Sequence, residues 1–91
     1  HHLKDIKTNE QGREVHHIIL AEEVSFFNKA SILNTLNTIP ANAKVVIDCT
    51  NSKSIAFDVL ELIKDFEVNA KTKGIVVEKI NFIEPPYLKI A

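Results

Sequence analysis

The hydrophobic positions of this chain fall into short β-branched runs and longer stripes of helical spacing. Val15 to Leu20 is one such run. Asn9-Glu10-Gln11-Gly12 forms a polar turn ahead of it and Leu3 to Lys7 a weaker edge strand before that, so the opening reads as a hairpin. Asn28 offers a side-chain oxygen to cap a helix with Ile32, Leu33, Leu36 and Ile39 on one face, and Pro40 stops it. Val45-Val46-Ile47 is continuously apolar, as expected of a central strand covered on both sides. The clearest period comes next. Val59, Leu62, Ile63, Phe66 and Ala70 fall at i, i+3, i+4, i+7 and i+11, one stripe for a core to cover. Glu61, Lys64, Asp65 and Lys71 take the other face, and Gly74 ends the helix. Ile75-Val76-Val77 opens a last strand reaching Asn81, and the tail around Pro85-Pro86 has no helical pattern.

The order is β-β-α-β-α-β. Helical crossovers between strands imply parallel neighbours, while the hairpin supplies an antiparallel pair. The expected architecture is therefore an α/β layer fold, with a mixed four-stranded sheet and helices packed on it.

Ninety-one residues suit one domain, and such a chain buries roughly 60–65% of its unfolded surface, enough for a core without staples. A net charge of −1 and the lack of a basic face argue against nucleic acid as a partner. The single cysteine, Cys49, cannot form an internal disulfide, which fits a reducing compartment. No apolar run approaches the ~18–20 residues that span a bilayer, so the isolated domain is not expected to insert in a membrane. His1-His2 reads as a tag remnant, leaving 3–91 as a single domain excised from a larger protein.

Few residues invite chemistry. His16 and His17 are adjacent on a strand, point to opposite faces and cannot share a metal. One is expected to face solvent and the other to pack at the sheet margin. Asp48-Cys49 closes the central strand, where ligand and catalytic groups collect in such sheets, but no histidine in the sequence stands near to activate the thiol. The simpler reading is a small buried thiol beside a loop-capping carboxylate. Thr50-Asn51-Ser52-Lys53-Ser54 lacks the glycines of a phosphate loop and reads as a solvated connection. Phe26-Phe27 is expected to anchor the core, one ring stapling the first helical turn; an interaction surface is the alternative. Asp58, three residues before Glu61, looks like a helix cap in a near capping box. No cofactor or metal site is expected.

Residues 22–63 resemble the STAS domain at the cytoplasmic end of SulP anion transporters. Val24 to Ala30, with Phe26, Phe27 and Asn28, is similar to the segment leading from a strand into the first helix of these domains. Val45-Val46-Ile47-Asp48 is similar to their central strand ending in aspartate. The likeness runs from Val15 to Phe82, and implies that residues 3–91 are one STAS domain. The family also includes anti-sigma factor antagonists, in which a serine opening the second helix is phosphorylated. Here that turn reads Ala56-Phe57-Asp58-Val59, so Asp58 holds the phosphosite-equivalent position without a hydroxyl. Members usually carry one more helix after the last strand, and "IEPPYLKIA" does not look like one.

The resemblance implies a non-catalytic regulatory domain of a sulfate or bicarbonate carrier, on the cytoplasmic side of the bacterial inner membrane. Its expected partners are the membrane part of the same transporter, a second protomer or a cytoplasmic protein. The expected interaction surface comprises Thr50, Asn51, Ser52, Ser54, Phe57, Asp58 and Glu61. The rival readings are a free-standing anti-sigma factor antagonist-like domain and a small enzyme working through Asp48 and Cys49.

Overall fold

The computed structural model describes residues 2–9 and 11–83. Strands β1 (His2–Thr8) and β2 (Glu14–Leu20) form the expected hairpin, antiparallel with His2 opposite Leu20. Its turn is closed by Asn9, whose carbonyl accepts from Gly12 N–H and whose side-chain oxygen accepts from Gln11 and Arg13 N–H. The chain then passes through β3 (Glu23–Val24) and a 3₁₀ turn at Phe26–Asn28 into α1 (Lys29–Asn37). Strand β4 (Lys44–Asp48), β5 (Ser54–Ile55), α2 (Phe57–Ala70) and β6 (Val76–Ile80) complete it.

The main sheet has the order β1-β2-β4-β6, with β4 parallel to both its neighbours. The mixed four-stranded α/β fold is thus the one the pattern implies. A hydrophobic face must be buried against another element, and here one face of the sheet meets both helices. Ile18, Leu20, Val45 and Ile47 of the sheet, Ile32 and Leu36 of α1, and Val59, Leu62, Ile63 and Ala70 of α2 form this core. Strand alternation turns Val15, His17, Ile19 and Val46 to the other face. Strand β4 is nonetheless central with Val45, Val46 and Ile47 all buried, as expected of a strand covered on both sides. Val46 is buried between His17 and Glu78, its cross-strand neighbours, and contributes nothing to the helix-side core.

Two helical details also differ from the pattern. Leu33 is exposed, while Ile32, Leu36 and Ile39 are buried. Phe66 is only half-buried against the core, and Leu60, outside the stripe, is buried. The exposure of Leu33 and Phe66 has one cause: α1 and α2 lie side by side, and both residues border the gap between them.

A parallel ladder of two residues, β3 with β5, had no signature in the sequence. It is held by Lys53 N–H to Glu22 O at 2.8 Å and Ala56 N–H to Val24 O at 2.7 Å, with Ser52 Oγ donating to Ala21 O at 2.6 Å. The ladder fixes where each helix begins. Its last bond holds Ala56 extended (φ −59°, ψ 144°), and the Ala56 carbonyl accepts from Val59 and Leu60 N–H. Ala56 is the N-cap, without a side-chain bond, and Asp58 lies inside the first turn. Asp58 is therefore not the cap that its spacing to Glu61 implied.

The capping box lies one helix earlier. Ser25 Oγ accepts from Phe27 N–H at 3.2 Å, and Asn28 Oδ1 accepts from Ser25 N–H at 2.8 Å. Asn28 thus reaches backward to Ser25, and it stands at the N-cap of α1 without a side-chain bond to that helix. Ser25→Ala should cost about 0.5–2 kcal/mol, the usual loss for a good cap. Asp58→Ala loses only an interaction with the helix dipole, about 0.3–1 kcal/mol. Urea unfolding of the two variants checks this order; a larger loss at Asp58 would restore its capping role.

Candidate functional site

Both helices start at the carboxyl ends of parallel strands, and β3–β5 ties these starts together. That edge collects most of the candidate residues: the Phe26-Phe27-Asn28 turn, Asp48, the Thr50–Ser54 connection, Phe57 and Asp58. The fold accordingly makes one neighbourhood of two segments separated by some thirty positions in sequence.

The aromatic pair is the largest correction. Phe26 is 57% exposed and Phe27 is 89% exposed, so neither ring anchors the core or staples the helix. The rings pack on each other edge-to-face, with centroids 5.9 Å apart. The capping box turns the chain so that both side chains leave the surface, and Val24 fills the core position ahead of them. Phe57, at the start of α2, is also exposed.

A groove of about 350 Å³ runs between the helices. Leu33 and Leu36 from α1 and Leu62 and Phe66 from α2 line it, with Asp58, Glu61 and Asp65 among its polar residues. Asp58 and Glu61 were expected at an interaction surface; Lys29, Leu33, Asp65 and Phe66 were not. Leu33 and Phe66 looked like core because both satisfy the helical period, and only the placement of α1 beside α2 shows that they border an opening.

The connection after β4 is well tied. Asp48 Oδ1 accepts from Thr50 N–H at 2.9 Å, Thr50 Oγ1 accepts from Asn81 Nδ2 at 2.9 Å, and Ser52 is bonded to Ala21. Bonding by Thr50, and then the nearby His17 imidazole, holds the Asp48 carboxyl below its usual range. Asp48 is the loop-capping carboxylate its position implied. Asn51 and Ser54 are exposed beside it.

Cys49 is buried, and burial, followed by the Asp48 charge, pushes its thiol up to about 11. At neutral pH such a group is a packed thiol and not a nucleophile. Among the described residues, the cavity beside it is bordered by Lys53 and Asn81 and by no imidazole or carboxylate. His16 and His17 do point to opposite faces. His16 is fully buried rather than marginal, 2.8 Å from Glu14 Oε1, whereas His17 lies 3.7 Å from Asp48 Oδ2 on the face turned away from α1 and α2. Among the described residues no group of three or more His, Cys, Asp or Glu side chains could hold a metal. No described helix is long and apolar enough to cross a membrane.

No protein-family profile and no curated protein sequence matches the chain. Solved structures do share its fold. An antisigma-factor antagonist STAS domain from Rhodobacter sphaeroides is similar with a TM-score of 0.60 and 10% identity, over 87% of this chain and 85% of that one. The crystal structure of Mglu is similar with a TM-score of 0.66 and 16% identity, over 90% of this chain and 19% of that one. The chain therefore has a STAS-like fold and spans about a fifth of the longer relative.

Proposed function

We propose that this chain is a non-catalytic regulatory domain that acts by binding another protein through the carboxyl edge of its sheet and the adjoining helices. The observation that carries this reading is the exposure of Phe26 and Phe27. Ordering two large apolar rings in water brings no burial, whereas aromatic side chains are the preferred anchors of protein interfaces. The reactive groups point the same way: Cys49 is buried with a raised pKa, and Asp48 is committed to its loop.

The parent protein we propose is a SulP-type sulfate or bicarbonate transporter, supported by the likeness of residues 22–63 to that family's cytoplasmic domain. The domain then lies on the cytoplasmic side of the bacterial inner membrane and contacts the transporter's membrane part or a second protomer. It would raise transport without choosing the anion, since selectivity belongs to a membrane-embedded site. A free-standing antagonist-like domain is the second reading, favoured by the neighbour that is itself an antisigma-factor antagonist. Asp58 offers no hydroxyl to a kinase, so either setting needs a switch other than serine phosphorylation at that position.

Vesicle uptake by the full-length carrier tests the proposal. Phe26→Ala/Phe27→Ala, Asp58→Lys and deletion of the domain should each lower uptake at equal protein level while anion preference stays the same. The aromatic variant should remain within about 0.5 kcal/mol of the parent in stability, as surface substitutions do. Unchanged uptake, or altered preference with an undiminished maximal rate, would refute the regulatory role.

A further inference from the structure

The groove between α1 and α2 has a charge pattern that identifies what it receives. Its floor is apolar, and Leu33, 42% exposed, and half-buried Phe66 present hydrocarbon to solvent there. Asp58, Glu61 and Asp65 border it from α2 at i, i+3 and i+7, which puts them on one edge over roughly 10 Å of helix. None of the three takes part in an ion pair among the described residues. The cations that line the groove, Lys29 and Lys73, are the first residue of α1 and a residue beyond the end of α2, so neither belongs to that edge.

An apolar trough beside a row of like charges one turn apart matches one shape of partner. We infer that the groove takes an amphipathic helix, its leucine-type side chains spaced i, i+3 or i+4, i+7 and flanked by lysines or arginines on the side facing α2. This rests on the protein-binding reading above. The anchors fill the floor over Leu33, Leu62 and Phe66, as helices do in apolar grooves. The basic flank meets Asp58, Glu61 and Asp65 and sets the direction in which the helix lies. Charge complementarity of this kind gives register and partner choice more than raw affinity.

The test uses the 91-residue chain, isotope-labelled, and two synthetic helical peptides of about four turns each. Both carry leucines at i, i+3 and i+7; one is flanked by lysines and the other by glutamates. The lysine peptide should bind saturably, with amide shifts concentrated at Leu33, Glu61, Leu62, Asp65 and Phe66. The glutamate peptide should bind at least roughly tenfold more weakly, because it sets like charges opposite one another. Glu61→Lys/Asp65→Lys should invert that preference, whereas Glu23→Lys, a charge change on β3, should leave it alone. Equal binding of both peptides, shifts outside the groove, no binding, or an equal effect of Glu23→Lys would each overturn the inference. These outcomes leave the uptake test of the aromatic pair independent: loss of uptake with no peptide discrimination would refute the groove's partner and retain the regulatory role.

Discussion

Ile63→Ala should lower the unfolding free energy by about 2–5 kcal/mol, the cost of truncating a packed core residue and leaving a cavity. Ile63 is 1% exposed and lies on the stripe of α2 that meets the sheet, among Ile18, Val45 and Ile47. A domain of this length has roughly 5–14 kcal/mol of stability in total, so the variant would be marginal. Urea unfolding should show a lower midpoint with an unchanged slope. Phe66→Ala supplies the contrast. From the helical period alone Phe66 belongs to the core, and its loss would cost about 3–5 kcal/mol. Half-burial at the groove reduces the expected cost below that of Ile63→Ala, since the removed ring already faces water on one side. The reverse order of the two variants would mean that α2 is rotated relative to the arrangement described above.

Gly74→Ala should destabilise by about 1–2 kcal/mol, although it adds only a methyl group. Gly74 has φ +69°, in the left-handed region that closes a helix, and an L side chain there crowds its own backbone. The new Cβ would also meet the side-chain oxygen of Asn42. That oxygen is the end of a flexible side chain and can turn aside, so backbone conformation dominates the cost. Asn42→Gly tests the division. Asn42 is itself at φ 66°, and glycine there removes both its strain and the obstacle to a Cβ at position 74. The double variant should therefore recover part of the loss, and a Gly74→Ala protein as stable as the parent would show that the turn relaxes to another conformation. The expected loss is propagated locally: Asn42 N–H donates to Lys73 O, and Val76 N–H to Ala43 O, so the same turn sets the register of β6.

The element order, the hairpin, the parallel crossovers and the stripe Val59, Leu62, Ile63 and Ala70 were legible in the chain. Burial of one face imposes a period of two on a strand and about 3.6 on a helix, and that record is local. The loop-capping role of Asp48 was legible for the same reason, because its partner, Thr50, lies two residues away. What the chain does not carry is where one element lies against another. Asp58 has the spacing of a cap, yet Ala56 is the cap because a bond to Val24, more than thirty positions earlier, fixes the extended residue before the helix. Phe26 and Phe27 have the composition of core, but the capping box of Ser25 and Asn28 turns them outward. Leu33 and Phe66 obey the helical period and still border a groove, since two helices on one sheet cannot close every gap between them. Periodicity reports that a residue has an apolar side; only the packing of α1 beside α2 decides whether that side meets the core or remains open to a partner.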